Sequence, residues 1–505
     1  MKNFFKVLIF ISLVLIGSYL YINVSDLPSK ILTVLPILLS ISVILISFVI
    51  FLENRRPTQT ITWLVVLASF PYVGFFFYIF FGRNFYKERR YRLKSLSDKE
   101  ALSRINEIYP KKALIVDDDI PNHQKKLYNL GKKYGNDSLS FYTHTEVLNN
   151  GDETFSAIKK ALLNAKHHIH LEYYIWRHDH LGNEIKDILI QKASEGVKIR
   201  LLYDGVGSLE LSEKYIEQLK KAGVKIGVFS PVHIGFLNSK MNYRNHRKIV
   251  VVDGKVGFVG GLNVGDEYLG KDKAFGFWRD THMKLEGDAV LNLQLIFLQD
   301  WYYSTEEDYL TPDYLIEAEY PISEGGVQVI ASGPDEQYSI IKDLFFSMIT
   351  SAQKSVLIAS PYFIPDDDIL SAIRVVALSG VKVQLLVPKK PDHKIVFYAS
   401  RSYFPKLLEA GVEIYEYNEG FMHSKILIVD EELASIGTAN MDMRSFHLNF
   451  EVNVFLYRTV SARHLVEQFN RDLAVSSPID KETFKKRSIF IRLFESAARL
   501  FSPLL

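Results

Sequence analysis

Apolar positions fall along the chain in two regimes. Three apolar stretches crowd the first 82 residues, at about 4–22, 31–52 and 60–82. Beyond about residue 135, apolar positions recur with the alternating helix and strand periods of a layered α/β protein. Residues 31–52 run for 22 positions without a charge, enough for one membrane-spanning helix. The core of the first stretch, 7–22, is marginal in length, and Pro71 and Gly74 interrupt the third. Lys2 and Lys6 ahead of an apolar core fit a secretory signal peptide. No small-residue cleavage site follows, however, and a longer apolar run comes next, which disfavours that reading.

Basic residues bear on orientation. Arg55 and Arg56 precede the third stretch, and Arg83, Lys87, Arg89, Arg90, Arg92 and Lys94 follow it. Three full spans put these clusters on opposite faces, against the positive-inside rule. A hairpin or re-entrant segment bent at Pro71 and Gly74 makes both cytoplasmic, with Lys2 and Lys6 on the same side. Either arrangement leaves the bulk of the chain in the cytoplasm.

The α/β region repeats itself. Ala165 to Ile175 reads as a helix end running into a buried strand, and strands follow at Gly196–Tyr203 and Gly223–Phe229. The same order returns from Ala352 to Phe363, from Gly380 to Val387 and from Gly411 to Tyr415. Offsets of 187, 184 and 188 residues between these segments are too long for a solenoid and mark two copies of one unit. The expected organisation is a membrane anchor over 1–82, a juxtamembrane linker over 83–135, and two α/β domains over 136–322 and 323–505. The hinge lies near 321–326, with a pseudo-two-fold axis between the copies. A chain of 505 residues also exceeds one hydrophobic core.

Composition narrows the partners only a little. A net charge of +2 predicts no global polyanion partner. Cysteine is absent, so disulfides and thiolate metal sites are excluded while the redox compartment stays open.

The copies also share chemistry. Asn245 to Asp253 and Met422 to Asp430 both read H-x-K-x-x-x-x-D, 177 residues apart. Seven residues after each Asp comes a small-residue turn ending in Asn, Gly260-Gly261-Leu262-Asn263 and Gly437-Thr438-Ala439-Asn440. On a strand, His246 and Lys248 project the same way, as do His423 and Lys425. One His can attack phosphorus and the other protonate the departing alkoxide. Two lysines and two asparagines, Asn263 and Asn440, then clamp the non-bridging oxygens, so no metal or cofactor is required. Each motif supplies half a site, and the halves are expected to face each other. Each His needs an orienting acid. Glu451, 28 residues after His423, is the candidate in the second copy; Asp280, 34 residues after His246, holds the matching place in the first. Asp253 and Asp430 are candidates for the catalytic set, with a turn-holding role equally open. His167, His168 and His170, and His178 with His180, lack a ligand set at metal spacing.

On both motifs, the chain resembles the phospholipase D superfamily. Within it the chain is similar to bacterial cardiolipin synthases, through Glu53–Thr58, Phe81–Asn84, Gly437–Phe446, Leu448–Asn453 and Arg499–Leu505. The resemblance covers nearly everything after about residue 50, while residues 1–30 look like an added segment. It implies two tandem α/β/α sandwich domains behind N-terminal transmembrane helices, in the plasma membrane of a bacterium. The implied reaction joins two phosphatidylglycerol molecules into cardiolipin and glycerol through a phospho-histidine, with His246 as nucleophile and His423 as acid/base. A hydrolytic phospholipase D is the alternative. A nuclease is disfavoured by the apolar segments and the lack of a strongly basic stripe, so nucleic acid is not an expected partner. The cluster from Arg83 to Lys94 could attract anionic lipid or serve only as a topology anchor. In the tail, Phe490, Leu493, Phe494, Ala497, Phe501 and Leu504 recur at helical spacing beside Lys485, Lys486, Arg487, Arg492 and Arg499. That pattern suits a helix lying on a membrane or packed on the second domain.

Overall fold

The computed structural model describes residues 27–52, 57–70, 74, 78, 94–98, 100, 103, 104, 121–135, 139–231, 243–316 and 320–505. The first apolar stretch, Pro71 and the arginines at 55, 56, 83, 89, 90 and 92 lie outside the described residues. The chain divides into an N-terminal unit ending at Tyr86 and a large unit beginning at Lys87.

In the N-terminal unit, Leu27–Leu52 is a helix of 26 residues and Pro57–Ser69 a helix of 13. Pro57 opens the second helix, where its missing N–H costs nothing. Val43, Ile50, Leu67 and Tyr78 form a small core, and the Trp63 and Tyr78 rings meet edge-on at 5.2 Å. Ile44, Phe48, Phe51 and Val65 remain exposed. At 1.5 Å per residue Pro57–Ser69 reaches only about 20 Å, less than a bilayer core. Among the described residues, no helix is long and apolar enough to cross a membrane.

The large unit contains the duplication. The first copy supplies β1 (Thr143–Asn149), β2 (His168–Tyr173), β3 (Lys198–Asp204), β4 (Lys225–Phe229), β5 (Ile249–Val252), β6 (Val256–Gly260), β7 (Phe277–Arg279) and β8 (Thr281–Gly287). The second supplies β9 (Gly326–Ser332), β10 (Ser355–Ala359), β11 (Phe363–Ile364), β12 (Lys382–Pro388), β13 (Glu413–Tyr417), β14 (Gly420–Met422), β15 (Ile426–Val429), β16 (Leu433–Gly437), β17 (Met441–Asp442), β18 (Glu451–Tyr457) and β19 (Ser476–Pro478). One sheet runs β1-β8-β6-β5-β2-β3-β4, and the other runs β9-β18-β16-β15-β10-β12-β13 with β19 added at its edge. Strand for strand the orders agree, with parallel pairs β2–β3–β4 and β10–β12–β13 and antiparallel pairs elsewhere. Helices before β3 and β12 end at Gly196 and Gly380, whose φ values of +90° and +94° suit glycine and reverse the chain into the strand.

The β5 sequence Ile-Val-Val-Val and the β15 sequence Ile-Leu-Ile-Val are buried on both faces. Ile249 and Val251 turn toward a core that also holds Ile426, Ile428, Val452 and Val454, while Val250 and Val252 turn to the other side. The two sheets therefore share an inner layer, into which Ala289–Thr305 and Val460–Ala474 also pack. Each sheet has helices on both faces, as the α/β/α expectation requires, but the middle layer belongs to both copies.

Candidate active site

Both motif histidines lie where the chain of one copy pairs with the other. β14 runs parallel to β7, with Phe421 opposite Trp278 and Met422 opposite Arg279. The His423 N–H then donates to the Arg279 carbonyl at 2.7 Å. The matching bridge links Asn245 to Phe450, and the His246 N–H donates to the Phe450 carbonyl at 2.9 Å. The residue after each carbonyl is an acid. Consequently Glu451 binds Nδ1 of His246 at 2.9 Å, and Asp280 binds Nδ1 of His423 at 2.7 Å.

The pairing within each copy expected from the sequence, Asp280 with His246 and Glu451 with His423, is corrected by this geometry. Each carboxylate begins the strand beside its own copy's β6 or β16, and the other copy's His docks against that strand start. Both acids contact imidazole, so their place is behind the histidines. With Nδ1–H committed to a carboxylate, Nε2 of His246 is left with a lone pair and no partner among the described residues, whereas Nε2 of His423 lies 3.3 Å from Lys425 Nζ.

The two supports differ. Glu451 also accepts from Thr438 Oγ1 at 2.5 Å and Asn449 Nδ2 at 3.1 Å. Asp280 accepts from the Thr281 N–H at 2.7 Å. Gly261 stands where the second copy has Thr438, and a methyl group there would lie 2.2 Å from the Asp280 carboxylate. The shorter acid with glycine and the longer acid with threonine are thus two packings of the same position.

Lys248 and Lys425 are buried, each donating to its own His carbonyl at 2.6 Å. Lys425 Nζ also lies 2.8 Å from His423 Nδ1, a contact Lys248 does not share among the described residues. Burial, with the neighbouring lysines, lowers both imidazoles to about 4, although Glu451 and Asp280 pull the other way. Burial opposes charge on Asp280 and Glu451, yet the facing His and Lys residues hold both below the usual carboxylate range. Burial likewise lowers Lys425 to about 8 and Lys248 well below an ordinary lysine. Lys425 acts on both His246 and Lys248, so the half-sites form one electrostatic unit. Tyr174 stands 5.3 Å from the His246 ring; Trp278 and Phe421 stand 5.0 and 5.6 Å from that of His423.

Asp253 and Asp430 belong elsewhere, which corrects their inclusion in the catalytic set. Asp253 accepts the main-chain N–H groups of Lys166, His167 and His168 at 2.7–2.9 Å. Asp430 does the same for Gln353, Lys354 and Ser355. Both have φ near +54°, in the left-handed region that Asp tolerates. Seven extended residues place them roughly 20 Å from their histidines. They fix the chain entering β2 and β10.

The asparagines also diverge. Asn263 accepts from the Ile175 N–H and donates to the Tyr268 hydroxyl, both at 3.0 Å. Asn440 is buried with an amide oxygen that has no partner among the described residues. Of the other histidines, His170 bonds Gln294 and Arg200, while Asp179 caps the helix His180–Ser194 through the Gly182 N–H. No cluster of metal-ligating side chains occurs among the described residues.

Sequence reasoning missed the layer behind the site. Arg247, between the motif His and Lys, donates to the Glu451 carbonyl at 3.2 Å and pairs with buried Asp300. Asp300 in turn contacts Lys94 at 3.1 Å. In the second copy Arg279, just before Asp280, pairs with Asp472 at 2.8 Å. An arginine at an open position of the motif was the one signal available.

Comparison with known proteins identifies the family and the fold. A family model described as cardiolipin synthase, phospholipase D-like domain, matches residues 158–301 and 345–473. A phospholipase D-nuclease N-terminal model matches residues 35–83. A cardiolipin synthase from Geobacillus sp. (strain WCH70) is 57% identical over 506 residues, covering 100% of both chains. Cardiolipin synthase 2 of Bacillus anthracis is 58% identical over 472 residues, 92% of this chain and 90% of that one. The crystal structure of phosphatidylserine synthase from Haemophilus influenzae Rd KW20 shares the fold at TM-score 0.56 and 15% identity, covering 76% of this chain and all of that one. Full-length identity to these relatives and a domain match spanning both copies lead to one assignment: the chain belongs to the cardiolipin synthase family of phospholipase D-like phosphatidyltransferases.

Proposed function

We propose that this phosphatidyltransferase joins two phosphatidylglycerol molecules through a covalent phosphatidyl-histidine. The crossed His–carboxylate pairs carry the reading, because they orient two neutral imidazoles toward one site flanked by Lys248 and Lys425. In the first step, binding of the anionic phosphodiester draws a proton onto His423; Nε2 of His246 then bonds to phosphorus, the bond to glycerol breaks, and His423 gives that proton to the departing oxygen. In the second, neutral His423 takes the proton of a glycerol hydroxyl on another phosphatidylglycerol. The resulting oxygen displaces His246 from phosphorus, giving cardiolipin. His246 as nucleophile follows the superfamily resemblance. The lysines hold the non-bridging oxygens, with Asn440 Oδ1 free to accept from a substrate hydroxyl. Tyr174, Trp278 and Phe421 wall the site against water, which favours transfer over hydrolysis.

The N-terminal stretches serve, on this reading, as a membrane anchor that leaves residues 136–322 and 323–505 in the cytoplasm as two phospholipase D-like halves. A re-entrant third segment, bent at Pro71 and Gly74, puts the basic clusters that flank it on one side of the membrane. Labelled phosphatidylglycerol in vesicles tests the whole reading. Cardiolipin and glycerol in equal amounts are expected; phosphatidic acid as the only product would show a hydrolase instead.

A further inference from the structure

The last helix, Ile489–Arg499, and the 3-10 turn Ser502–Leu504 after it carry two opposed faces. One is fastened to the large unit. Glu495 is buried and pairs with Arg487 at 2.8 Å, and Ser502 Oγ meets the Tyr403 hydroxyl at 3.1 Å. The carbonyl of Leu505 accepts the Arg444 N–H at 2.9 Å. On the other face Ile489, Phe490, Leu493, Phe494, Leu500 and Phe501 are 53–80% exposed among the described residues, an apolar stripe at helical spacing.

The charge beside that stripe is mostly positive. Lys486 and Arg492 are exposed beside it, Lys485 is exposed and pairs with Glu482 at 3.4 Å, and beyond residue 482 the sole acid is the buried Glu495. The helix also lies next to the chemistry. Phe494 packs on Tyr398 of the helix Lys394–Arg401, with ring centroids 6.1 Å apart. That helix shares a cleft with Asp392 and Tyr362, which are hydrogen-bonded to each other, and the Tyr362 ring stands 6.4 Å from His423.

We propose that this face lies on the membrane, its Phe and Leu side chains among the acyl chains and its basic rim on anionic headgroups, beside the mouth through which lipid reaches His423. A cationic rim around an apolar helical stripe is the pattern of an interfacial helix. The proposal rests on the enzyme acting on membrane phospholipid, and it adds which surface docks.

The chain has no cysteine, so Phe494→Cys offers a single labelling position. With a polarity-sensitive fluorophore there, and full-length protein in phosphatidylglycerol vesicles with brominated acyl chains, the emission shifts to the blue and is quenched. A label at Lys221→Cys, exposed at the end of the helix Glu213–Lys221 in the first copy, stays as in water. Equal, water-like emission at both positions overturns the proposal. So does a blue shift that disappears when protein is diluted at constant lipid, which assigns the face to a second copy. A second arm uses a Phe490→Asp/Phe494→Asp variant. Its turnover of vesicle phosphatidylglycerol falls about tenfold, while turnover of a dispersed short-chain phosphatidylglycerol is unchanged. An equal effect on both substrates also overturns it. Because the fluorescence arm does not depend on turnover, a wild-type enzyme that makes no cardiolipin counts against the reaction, and the docking face is judged separately.

Discussion

Glu451, from the second copy, holds Nδ1 of His246, from the first, at 2.9 Å. The crossed pairing makes each mutation in one copy a lesion in the other's histidine. With His246 as nucleophile, Glu451→Gln blocks formation of the covalent phosphatidyl-enzyme, whereas Asp280→Asn leaves the nucleophile intact and slows both steps in which His423 moves a proton. Both variants lose about 10^3-fold or more in turnover. Enzyme quenched in detergent at neutral pH after a pulse of labelled phosphatidylglycerol still carries label in Asp280→Asn, and none in Glu451→Gln. The opposite labelling would reverse the roles of the two histidines.

Proton inventory gives an independent check. Free His246 and His423 sit near 4, so both are neutral at pH 7. An anionic phosphodiester between them raises the value of the acid. In the window from about 4 up to that raised value the complex binds more protons than the free enzyme. Affinity for the anion therefore strengthens as pH falls from 7 and levels off below about 4, where free enzyme is already protonated. Calorimetric binding of short-chain phosphatidylglycerol at pH 7, in buffers of different ionisation heat, should show uptake of about one proton. That uptake should be lost in His423→Ala and kept in His246→Ala. Heats independent of buffer would exclude the mechanism.

The motif Asp residues test the line between chemistry and scaffold. Asp253 and Asp430 each bind three main-chain N–H groups at the start of a central strand. Replacement by Asn keeps one acceptor and tolerates the left-handed φ, and costs about 1–3 kcal/mol of stability. Melting of Asp253→Asn and Asp430→Asn should begin at lower temperature, with turnover within about threefold of wild type below it. A loss of turnover as large as that of Glu451→Gln, with melting unchanged, would return these residues to the catalytic set.

Much of this was legible in the chain. Offsets of 177 to 188 residues between matching segments anticipated two sheets with the same strand order, because strands and short turns are local and their signals survive duplication. The motif residues were visible for the same reason: His246 to Asp253 is one loop-and-strand segment. Partnership between copies was not visible. Counting 34 residues from His246 to Asp280 measures position along one copy, and nothing in it reports which histidine docks on that strand start. Lys94 shows the same limit. In sequence it is one of six basic residues after an apolar run; in the fold it is buried against carboxylates as distant as Asp300 and Asp335.

That lysine supplies the last prediction. Lys94 Nζ lies 2.6 Å from Asp98, 3.1 Å from Asp300 and 3.3 Å from Asp335, and all four side chains are largely buried. Burial works against its charge, but the three acids together hold it well above an ordinary lysine. In Lys94→Met, Arg247 is left as the main counter-charge to Asp300, so Arg247 is drawn off the Glu451 carbonyl that it holds at 3.2 Å. Breaking a buried ion cluster by removing one partner costs about 3–5 kcal/mol. A lower melting temperature alone would describe a purely structural residue. Displacement of Glu451 adds a fall in kcat at unchanged KM, measured well below melting. It also shifts the His246 imidazole, which can be followed by its ring-proton resonance against pH. If Lys94→Met melts early yet keeps full kcat and an unshifted His246, the cluster supports the fold without positioning the site.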